Sequence, residues 1–286
     1  MVYAAVAARV AAFSHLPWEN QVPPSILFIT LDSCRYDAFV EASARNLKAV
    51  GPLIRAMAPS YFTYASHAAF FMGFTPGDAQ RQEPFVNPKF GKIFRMEGGG
   101  DEGPAPPYMT LRGRNIIDGL KNVGYRTIGT GAVGWFDPQR PTGRVLSVDF
   151  DAFAFAGGPA LKKQLLWIDA TLAKLRPEAP AFVFLNLAET HLPYWHEGAS
   201  WQPSDRTCLP FAADNDAAES RRRQVACIEF CDAELAGLLE RFANGTIIVC
   251  SDHGDCWGED GLWAHGISHQ KTLEVPLLLR FAPTTA

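Results

Sequence analysis

Apolar residues in this chain fall into short runs that alternate with longer segments whose apolar positions recur every three or four residues. Short runs of this kind predict buried parallel strands, and the longer spacing predicts amphipathic helices. The predicted strands cover residues 25–31, 125–131, 181–187 and 245–251, and a last apolar run covers residues 275–281. The predicted helices cover residues 35–50, 63–72, 114–123, 160–175 and 217–242. This alternation predicts an α/β fold with a mostly parallel central sheet and helices on both faces.

Two stretches depart from this alternation. Residues 76–107 are rich in glycine, proline and charge, which predicts a loop, either a lid or a loop on the substrate side. Residues 1–18 are rich in alanine and are interrupted by Arg9, which favours an amphipathic helix over a signal peptide. The sequence contains no internal repeat and no clear linker, so we expect a single domain over residues 1–286.

The composition is that of an ordinary soluble globular protein. Of the 286 residues, 48% are apolar and 20% are charged, and the formal net charge is −4. A long basic stripe and a membrane-spanning run are both absent from the sequence, so we expect neither a nucleic-acid nor a membrane partner. The six cysteines form no CxxC pair, which favours reduced thiols in a cytoplasmic enzyme. The sequence leaves the oligomeric state open.

Polar residues that bind metals or carry protons follow three of the predicted strands. Asp32 follows the first, His191 lies just beyond the strand at 181–187, and Asp252 and His253 follow the strand at 245–251. Because ligands bind beyond the carboxyl ends of strands in open α/β sheets, this layout predicts a metal site. Aspartate with histidine suits zinc or manganese, and carboxylate-rich sets also suit magnesium or calcium. A single aspartate after a strand, such as Asp32, is also typical of a helix cap.

Four segments together resemble the ordered motifs of a known group of enzymes. The segments are ILFITLDSCRYDAF, TYASHAAFFMG, NLAETHLPY and SDHGDCWGEDGLWAHGISHQKTLEVPLLLR. Their order and content resemble the alkaline phosphatase superfamily on its sulfatase-like branch, over residues 25–281. The resemblance implies an alkaline-phosphatase-like three-layer sandwich. It also implies a single catalytic domain, residues 1–286, without the C-terminal subdomain of larger sulfatases.

The resemblance implies four ligands for one divalent ion, namely Asp32, Thr63, Asp252 and His253. It also implies that Thr63 is the nucleophile, although a threonine at the start of a helix is equally typical of a cap. Sulfatases carry a cysteine within Cys-x-Pro-x-Arg at this position, and this chain reads TYASH. The formylglycine chemistry of sulfatases is therefore ruled out. Threonine is similar to phospho-transferring relatives, such as phosphoethanolamine transferases, lipoteichoic acid synthases and nucleotide phosphodiesterases.

Three further histidines are candidates to meet the substrate, two from the resemblance and one from its spacing to Thr63. His191 and His265 match histidines near the substrate phosphate, where one of them protonates the leaving oxygen; the alternative is a pair of hydrogen-bonded surface histidines. His67 lies four residues after Thr63 and so shares a helix face with it. We expect it to bind substrate, with support of the nucleophile or a packing role as the alternatives.

The number and identity of the ions stay open at this point. We expect one tightly bound Zn²⁺, with Mn²⁺, Mg²⁺ or Ca²⁺ as alternatives, and a second ion is an open alternative. Binuclear relatives have an aspartate where this chain has Leu187. Glu189 lies near that position, and Asp255 and His269 are further candidate ligands.

These features predict a metal-dependent phosphoester hydrolase or phospho-transferase that acts on a small-molecule phosphoester. Metal-activated Thr63 attacks phosphorus, and a covalent phospho-threonine intermediate follows. One alternative is a sulfate-ester or phosphonate hydrolase that uses the same site. Another is a metal-dependent binding protein without activity.

Overall fold

The computed structural model of the chain describes residues 22–73, 94–98, 107–111 and 115–283. Eleven strands lie in these ranges: β1 Ile26–Leu31, β2 Ile54–Met57, β3 Phe94–Gly98, β4 Pro107–Leu111, β5 Arg126–Gly131, β6 Ala152–Phe155, β7 Ala181–Leu187, β8 Thr246–Cys250, β9 Cys256–Trp257, β10 Trp263–Ala264 and β11 Glu274–Arg280. The α-helices there are α1 Tyr36–Glu41, α2 Arg45–Lys48, α3 Thr63–Met72, α4 Ile116–Asn122, α5 Pro141–Ser147, α6 Leu161–Leu172, α7 Ala217–Arg241 and α8 Gln270–Leu273. Short 3₁₀ turns span Gly134–Phe136 and Glu259–Gly261.

The central sheet has seven strands in the order β2-β11-β8-β1-β7-β5-β6. The five strands from β8 to β6 are parallel, and β11 is antiparallel to both of its neighbours, β8 and β2. The prediction of a mostly parallel central sheet is therefore confirmed. Strand β1 lies between β7 and β8, so the loops that follow these three strands emerge side by side at one edge.

Helices cover both faces of the sheet, because the side chains of a buried strand point alternately to opposite sides. Along β1, Leu27, Ile29 and Leu31 pack in a core layer with residues of α1, α2, α6 and α7. Ile26 and Phe28 pack in a second layer with residues of α3, α4 and α5. The sheet with these two helical layers is the expected three-layer sandwich.

One helix predicted over residues 35–50 is wrong as a single element, because the chain forms α1 and α2 instead. The break is at Ala42, whose ψ of 141° is not helical. Two amides beyond it are held by side chains of α7: Ser43 N donates to Glu229 and Leu47 N donates to Asp232. These side-chain acceptors take the place of the carbonyls that would continue helix α1, so α2 forms as a separate helix.

Other differences concern short elements and segment ends. Strands β2, β4, β6, β9 and β10 and helices α5 and α8 are additions to the predicted set, and β3 lies inside the segment 76–107 that was predicted as a loop. Residues 76–93 and 99–106 of that segment lie outside the described residues. The helix predicted over residues 1–18 also lies outside them. Within the described part of the chain, none of the helices is long and apolar enough to cross a membrane.

Candidate active site and metal centre

Three adjacent segments bring four polar side chains to one point at the carboxyl edge of the sheet. Asp32 directly follows β1, Asp252 and His253 follow β8, and Thr63 is the first residue of α3. All four are buried, with Thr63 1% exposed and the other three 0%. Complete burial of two carboxylates and an imidazole is costly unless the groups are paired or bind a cation.

The four side chains lie within direct reach of one another. Thr63 Oγ1 is 3.4 Å from each carboxylate oxygen of Asp32 and 3.2 Å from His253 Nε2. His253 Nε2 is in turn 3.7 Å from Asp32 Oδ1 and 3.5 Å from Asp252 Oδ2. Asp32, Asp252 and His253 each offer a ligand atom within 4.8 Å of the others. The structure thus brings together the whole set that the sequence motifs implied.

Asp252 has one satisfied and one unsatisfied carboxylate oxygen. Its Oδ1 accepts hydrogen bonds from the backbone amides of Ser33 at 3.1 Å and His253 at 3.0 Å. Its Oδ2 has no hydrogen-bond partner in the described part of the chain. Burial raises the pKa of this carboxyl to about 6. An orphaned buried oxygen costs about 1–3 kcal/mol, and a bound cation would remove that cost.

His253 is held in the tautomer that a metal ligand needs. Its Nδ1 donates to the carbonyl of Gly254 at 3.0 Å, which leaves the lone pair on Nε2 facing Asp32 and Asp252. Burial, and next the charge of His265, lower the pKa of His253 to about 4, so the ring is neutral. A side chain at position 254 is excluded, because a Cβ would lie 2.3 Å from the carbonyl oxygen of Lys271.

The donor set fits a divalent cation. Two carboxylates, one neutral imidazole nitrogen and one hydroxyl are hard-to-borderline ligands of the kind that zinc and manganese accept. The unsatisfied Oδ2 of Asp252 lies among these donors. Asp32, Thr63, Asp252 and His253 are therefore the residues that could hold such an ion.

Thr63 is not the cap of its helix. Phe62 occupies the N-cap position with extended backbone angles, and no side chain caps the helix there. The Thr63 hydroxyl instead points to Asp32 and His253. The alternative interpretation of Thr63 as a plain cap therefore does not match the geometry.

His67 is placed beneath the site, away from solvent. Its Nδ1 donates to the Thr63 carbonyl at 2.9 Å, so its Nε2 accepts from the Thr30 hydroxyl at 2.9 Å. The ring is 0% exposed and lies edge-on to four phenylalanines, Phe70, Phe71, Phe136 and Phe184. Burial lowers its pKa to about 4. With both nitrogens engaged, His67 has a packing and positioning role, which corrects the expectation that it binds substrate.

His191 and His265 lie at the rim of the site. Their ring centroids are 5.1 Å apart, and His265 is 4.5 Å from the ring of His253. His191 Nδ1 donates to the carbonyl of Leu192 at 2.8 Å. Burial opposes protonation of His265, but the carboxylate of Asp255 raises its pKa to about 9. Both histidines are partly exposed, as groups that meet a substrate must be.

Of the additional candidate ligands, Asp255 lies beside the site, whereas His269 and Glu189 are bonded elsewhere. Asp255, with His253 and His265, forms a second set of ligand atoms within 4.8 Å. His269 is elsewhere: its Nδ1 accepts from the amide of Lys271, and its Nε2 is 3.2 Å from Asp260. Glu189 is directed at the start of α6, where its Oε1 accepts from Leu161 N at 2.8 Å.

Two buried side-chain amides hold the candidate ligand Asp32 and the loops beside it, and sequence reasoning missed both. Asn186 Nδ2 donates to Asp32 Oδ2 at 2.9 Å. Gln224 of α7 donates to the carbonyls of Ser33 and Thr190 and accepts from Arg35 N, so it joins the loops after β1 and β7. The available signal for Asn186 was a polar residue inside the otherwise apolar run AFVFLNL.

Comparison with known proteins gives a family and a set of similar folds. A family model described as Sulfatase matches residues 57–286, a span that contains all the candidate site residues named above except Asp32. No curated protein sequence matches the chain.

Three solved structures are similar to this chain. The periplasmic domain of phosphoethanolamine transferase EptC from Campylobacter jejuni has a TM-score of 0.59 at 11% identity, over 91% of this chain and 80% of that one. The Escherichia coli EptC domain, in a complex with zinc, has a TM-score of 0.59 at 15% identity, over 92% and 74%. A Bacteroides fragilis protein described as a putative sulfatase has a TM-score of 0.58 at 15% identity, over 93% and 70%. At these identities the likeness shows the fold.

Proposed function

This chain belongs to the sulfatase family, within the alkaline phosphatase superfamily, and on that premise we propose that it is a phosphoester hydrolase or phospho-transferase with Thr63 as nucleophile. The observation that carries the proposal is the position of the Thr63 hydroxyl. It lies 3.2 Å from His253 Nε2 and 3.4 Å from both oxygens of Asp32, inside a buried set of ion ligands. The N-terminus of α3 adds a field that favours a bound anion.

Threonine at this position favours phosphate over sulfate as the group transferred. The nucleophile of a sulfatase is made from cysteine by conversion to formylglycine, and Thr63 does not allow that conversion. A threonine hydroxyl with a lowered pKa is instead suited to direct attack on phosphorus. Proteins of similar fold include phosphoethanolamine transferases and a lipoteichoic acid synthase, which supports this choice.

The chain's own groups account for the first half of the reaction. A divalent ion held by the four ligands would neutralise phosphate charge and lower the pKa of the Thr63 hydroxyl. Thr63 Oγ1 forms a bond to phosphorus as the bond to the leaving oxygen breaks. The hydroxyl proton leaves toward the acceptor atoms that already surround it, Asp32 Oδ1 and Oδ2. The product is phospho-Thr63 and a released alcohol.

The second half returns the enzyme to its starting state. Water, or an acceptor alcohol, attacks the phosphorus of phospho-Thr63, and Thr63 Oγ1 leaves with the proton that Asp32 took in the first half. His191 and His265 are the partly exposed groups beside the ligands, so they are placed to give a proton to the first leaving oxygen and to take one from the attacking water. Water yields a hydrolase, and an alcohol yields a transferase.

Further parts of the proposal concern the cofactor, the substrate and the compartment. We propose Zn²⁺ as the ion because the ligands include a neutral imidazole nitrogen, and a small-molecule phosphoester as the substrate. We also propose a cytoplasmic location, for which the six unpaired cysteines are the supporting observation.

The test combines trapping with a substrate panel. Purified protein loaded with Zn²⁺ is incubated with phosphate monoesters, phosphodiesters, a phosphonate ester and sulfate esters, and mass spectrometry follows the peptide that contains Thr63. We expect phosphate-ester turnover and a phosphate adduct on Thr63. Thr63→Ala should retain the fold and less than roughly 0.1% of the activity, and Thr63→Ser should retain part of it.

Thr171→Ala is the matched control, because Thr171 lies on α6 and its hydroxyl donates, among the residues that the structure describes, only to the carbonyl of Trp167. Faster turnover of sulfate esters or of the phosphonate would establish the first alternative. Bound metal without turnover of any ester would establish the binding-protein alternative. Near-normal activity of Thr63→Ala on phosphate esters would remove Thr63 as nucleophile.

A further inference from the structure

Asp255 is a buried carboxylate beside the candidate site with both oxygens hydrogen-bonded. Its Oδ1 lies 2.7 Å from Nδ1 of His265, and its Oδ2 accepts from the Tyr194 hydroxyl at 2.7 Å. The Tyr194 oxygen accepts in turn from Trp257 Nε1 at 2.8 Å. Asp255 and Tyr194 are 0% exposed and Trp257 is 5% exposed. These three bonds form a continuous chain that fixes the plane of the carboxylate.

This chain of bonds determines how His265 presents its ring. An ionised carboxylate only accepts hydrogen bonds, so Nδ1 of His265 carries a hydrogen. Its Nε2 makes no hydrogen bond to any residue that the structure describes, and the ring lies beside His253 with centroids 4.5 Å apart. The side chain of His265 is 22% exposed, against 0% for Asp255. His265 therefore has a fixed tautomer on the buried side and an open nitrogen at the site.

We propose that Asp255, held in place by Tyr194, is a positioning residue that orients His265 and fixes its tautomer so that Nε2 gives a proton to the leaving oxygen. The inference rests on the proposed phosphoester chemistry for the identity of that oxygen. When the bond from phosphorus to the leaving oxygen breaks, the proton on Nε2 moves to that oxygen. The ring becomes neutral with its hydrogen on Nδ1, and Nε2 recovers a proton from the water that later attacks phospho-Thr63.

The same residues have a competing interpretation as a second cation site, because Asp255, His253 and His265 each offer a ligand atom within 4.8 Å of the others. Two contacts favour the positioning role. The 2.7 Å distance between Asp255 Oδ1 and Nδ1 of His265 is that of a charge-assisted hydrogen bond. Asp255 Oδ2 is already used by Tyr194. The arrangement is that of a buried acid orienting an imidazole.

The first experiment reads the tautomer directly and needs neither substrate nor metal. Nitrogen-15 NMR of the histidine side chains, in metal-free protein, reports which ring nitrogen of His265 carries hydrogen. We expect Nδ1 to be protonated in the wild type. In Asp255→Ala, at a pH where the ring is neutral, the hydrogen should move to Nε2, the form that free imidazole side chains prefer. An unchanged Nδ1 signal in Asp255→Ala overturns the proposal.

The second experiment is a double-mutant cycle on kcat, run with an alkyl phosphoester and a 4-nitrophenyl phosphoester. An alkyl leaving group needs the proton and nitrophenolate does not. Asp255→Ala should lower kcat for the alkyl ester by roughly 10- to 100-fold and much less for the nitrophenyl ester, and the KM values should change little. The double variant Asp255→Ala/His265→Ala should be no slower than His265→Ala alone, because both act through one group.

Controls separate this inference from a merely structural effect and from the proposed function. Asp260→Ala is matched, because Asp260 pairs with His269 at 3.2 Å in a neighbouring exposed loop, and it should leave both esters unaffected. The positioning role would be rejected if the two substitutions lowered kcat multiplicatively in the double variant, or if Asp255→Ala lowered kcat equally for both esters. An inactive Thr63→Ala would still uphold the proposed function in either case. Loss of a second bound Zn²⁺ in Asp255→Ala, measured by elemental analysis, would support the cation site instead and overturn the proposal.

Discussion

Asn186 of β7 donates a hydrogen bond from Nδ2 to Oδ2 of Asp32 across 2.9 Å. The other end of the same amide is also used, since its Oδ1 accepts from the backbone amides of Ala132 and Val133. One side chain therefore ties a candidate metal ligand to the loop after β5. Groups that orient metal ligands in this way affect ion affinity as well as stability.

Asn186→Ala should lower both ion affinity and stability. We expect a loss of about 10- to 100-fold in Zn²⁺ affinity, because Asp32 loses its orienting donor. We also expect about 2–4 kcal/mol less free energy of unfolding, since two buried amides lose their acceptor. Calorimetric titration and urea denaturation measure the two quantities. Asn46→Ala is the control, because Asn46 donates to the carboxylate of Asp232 and has no hydrogen bond to the four candidate ligands, so it should affect stability alone.

Much of this site was predictable because three of its four candidate ligands follow recognisable strands. Asp32, Asp252 and His253 follow apolar runs whose parallel order the alternating pattern predicts, and parallel strands end at the same edge. Thr63 was placed by its motif, and α3 begins at the residue that was expected.

Side-chain partners that arrive from distant segments were not predictable in this way. Gln224 reaches the loops after β1 and β7 from the first third of α7, where it resembles an ordinary polar residue of a helix. The break between α1 and α2 has the same origin, because it depends on Glu229 and Asp232 of α7 capturing backbone amides. The contacts with Ser33, Ser43 and Leu47 join residues 191, 186 and 185 positions apart, which no local pattern records.

His67→Phe tests whether this histidine positions Thr63 or meets the substrate. The phenyl ring fills the same aromatic surroundings but loses the bonds to Thr30 and to the Thr63 carbonyl. We expect a loss of about 1–3 kcal/mol in unfolding free energy, a lower kcat and a KM within roughly twofold of wild type. Steady-state kinetics and denaturation supply these values. A KM raised more than tenfold with unchanged stability would restore the substrate-contact interpretation.

Glu189 should make stability depend on pH in a direction opposite to that of most carboxylates. Burial raises its pKa to about 7, only partly offset by the amide of Leu161, and its Oε2 has no partner among the described residues. The folded state therefore keeps a proton that the unfolded chain releases near pH 4.5. The stabilisation is complete below that pH and is lost as pH rises through about 7.

Glu189→Gln removes this titration and isolates its effect. Between pH 5 and 8 the wild type should lose up to about 3 kcal/mol of unfolding free energy relative to the variant. Urea denaturation of both proteins, at half-unit pH steps and in the presence of a chelator, measures the difference. Parallel pH curves for the two proteins would show that Glu189 is ionised in the folded state throughout this range.

Divalent ions should stabilise the wild type through Asp252, whose Oδ2 is the unsatisfied oxygen of the candidate metal centre. An ion that binds only the folded state adds about 2.7 kcal/mol at a concentration 100 times its dissociation constant. We expect thermal unfolding, followed by calorimetry, to shift upward with Zn²⁺ and to return to its starting value with chelator. Mn²⁺, Mg²⁺ and Ca²⁺ tested in parallel rank the ions. Asp252→Ala should abolish the shift, whereas Asp260→Ala, at an exposed carboxylate, should retain it. An equal shift in Asp252→Ala would place the ion at a different site.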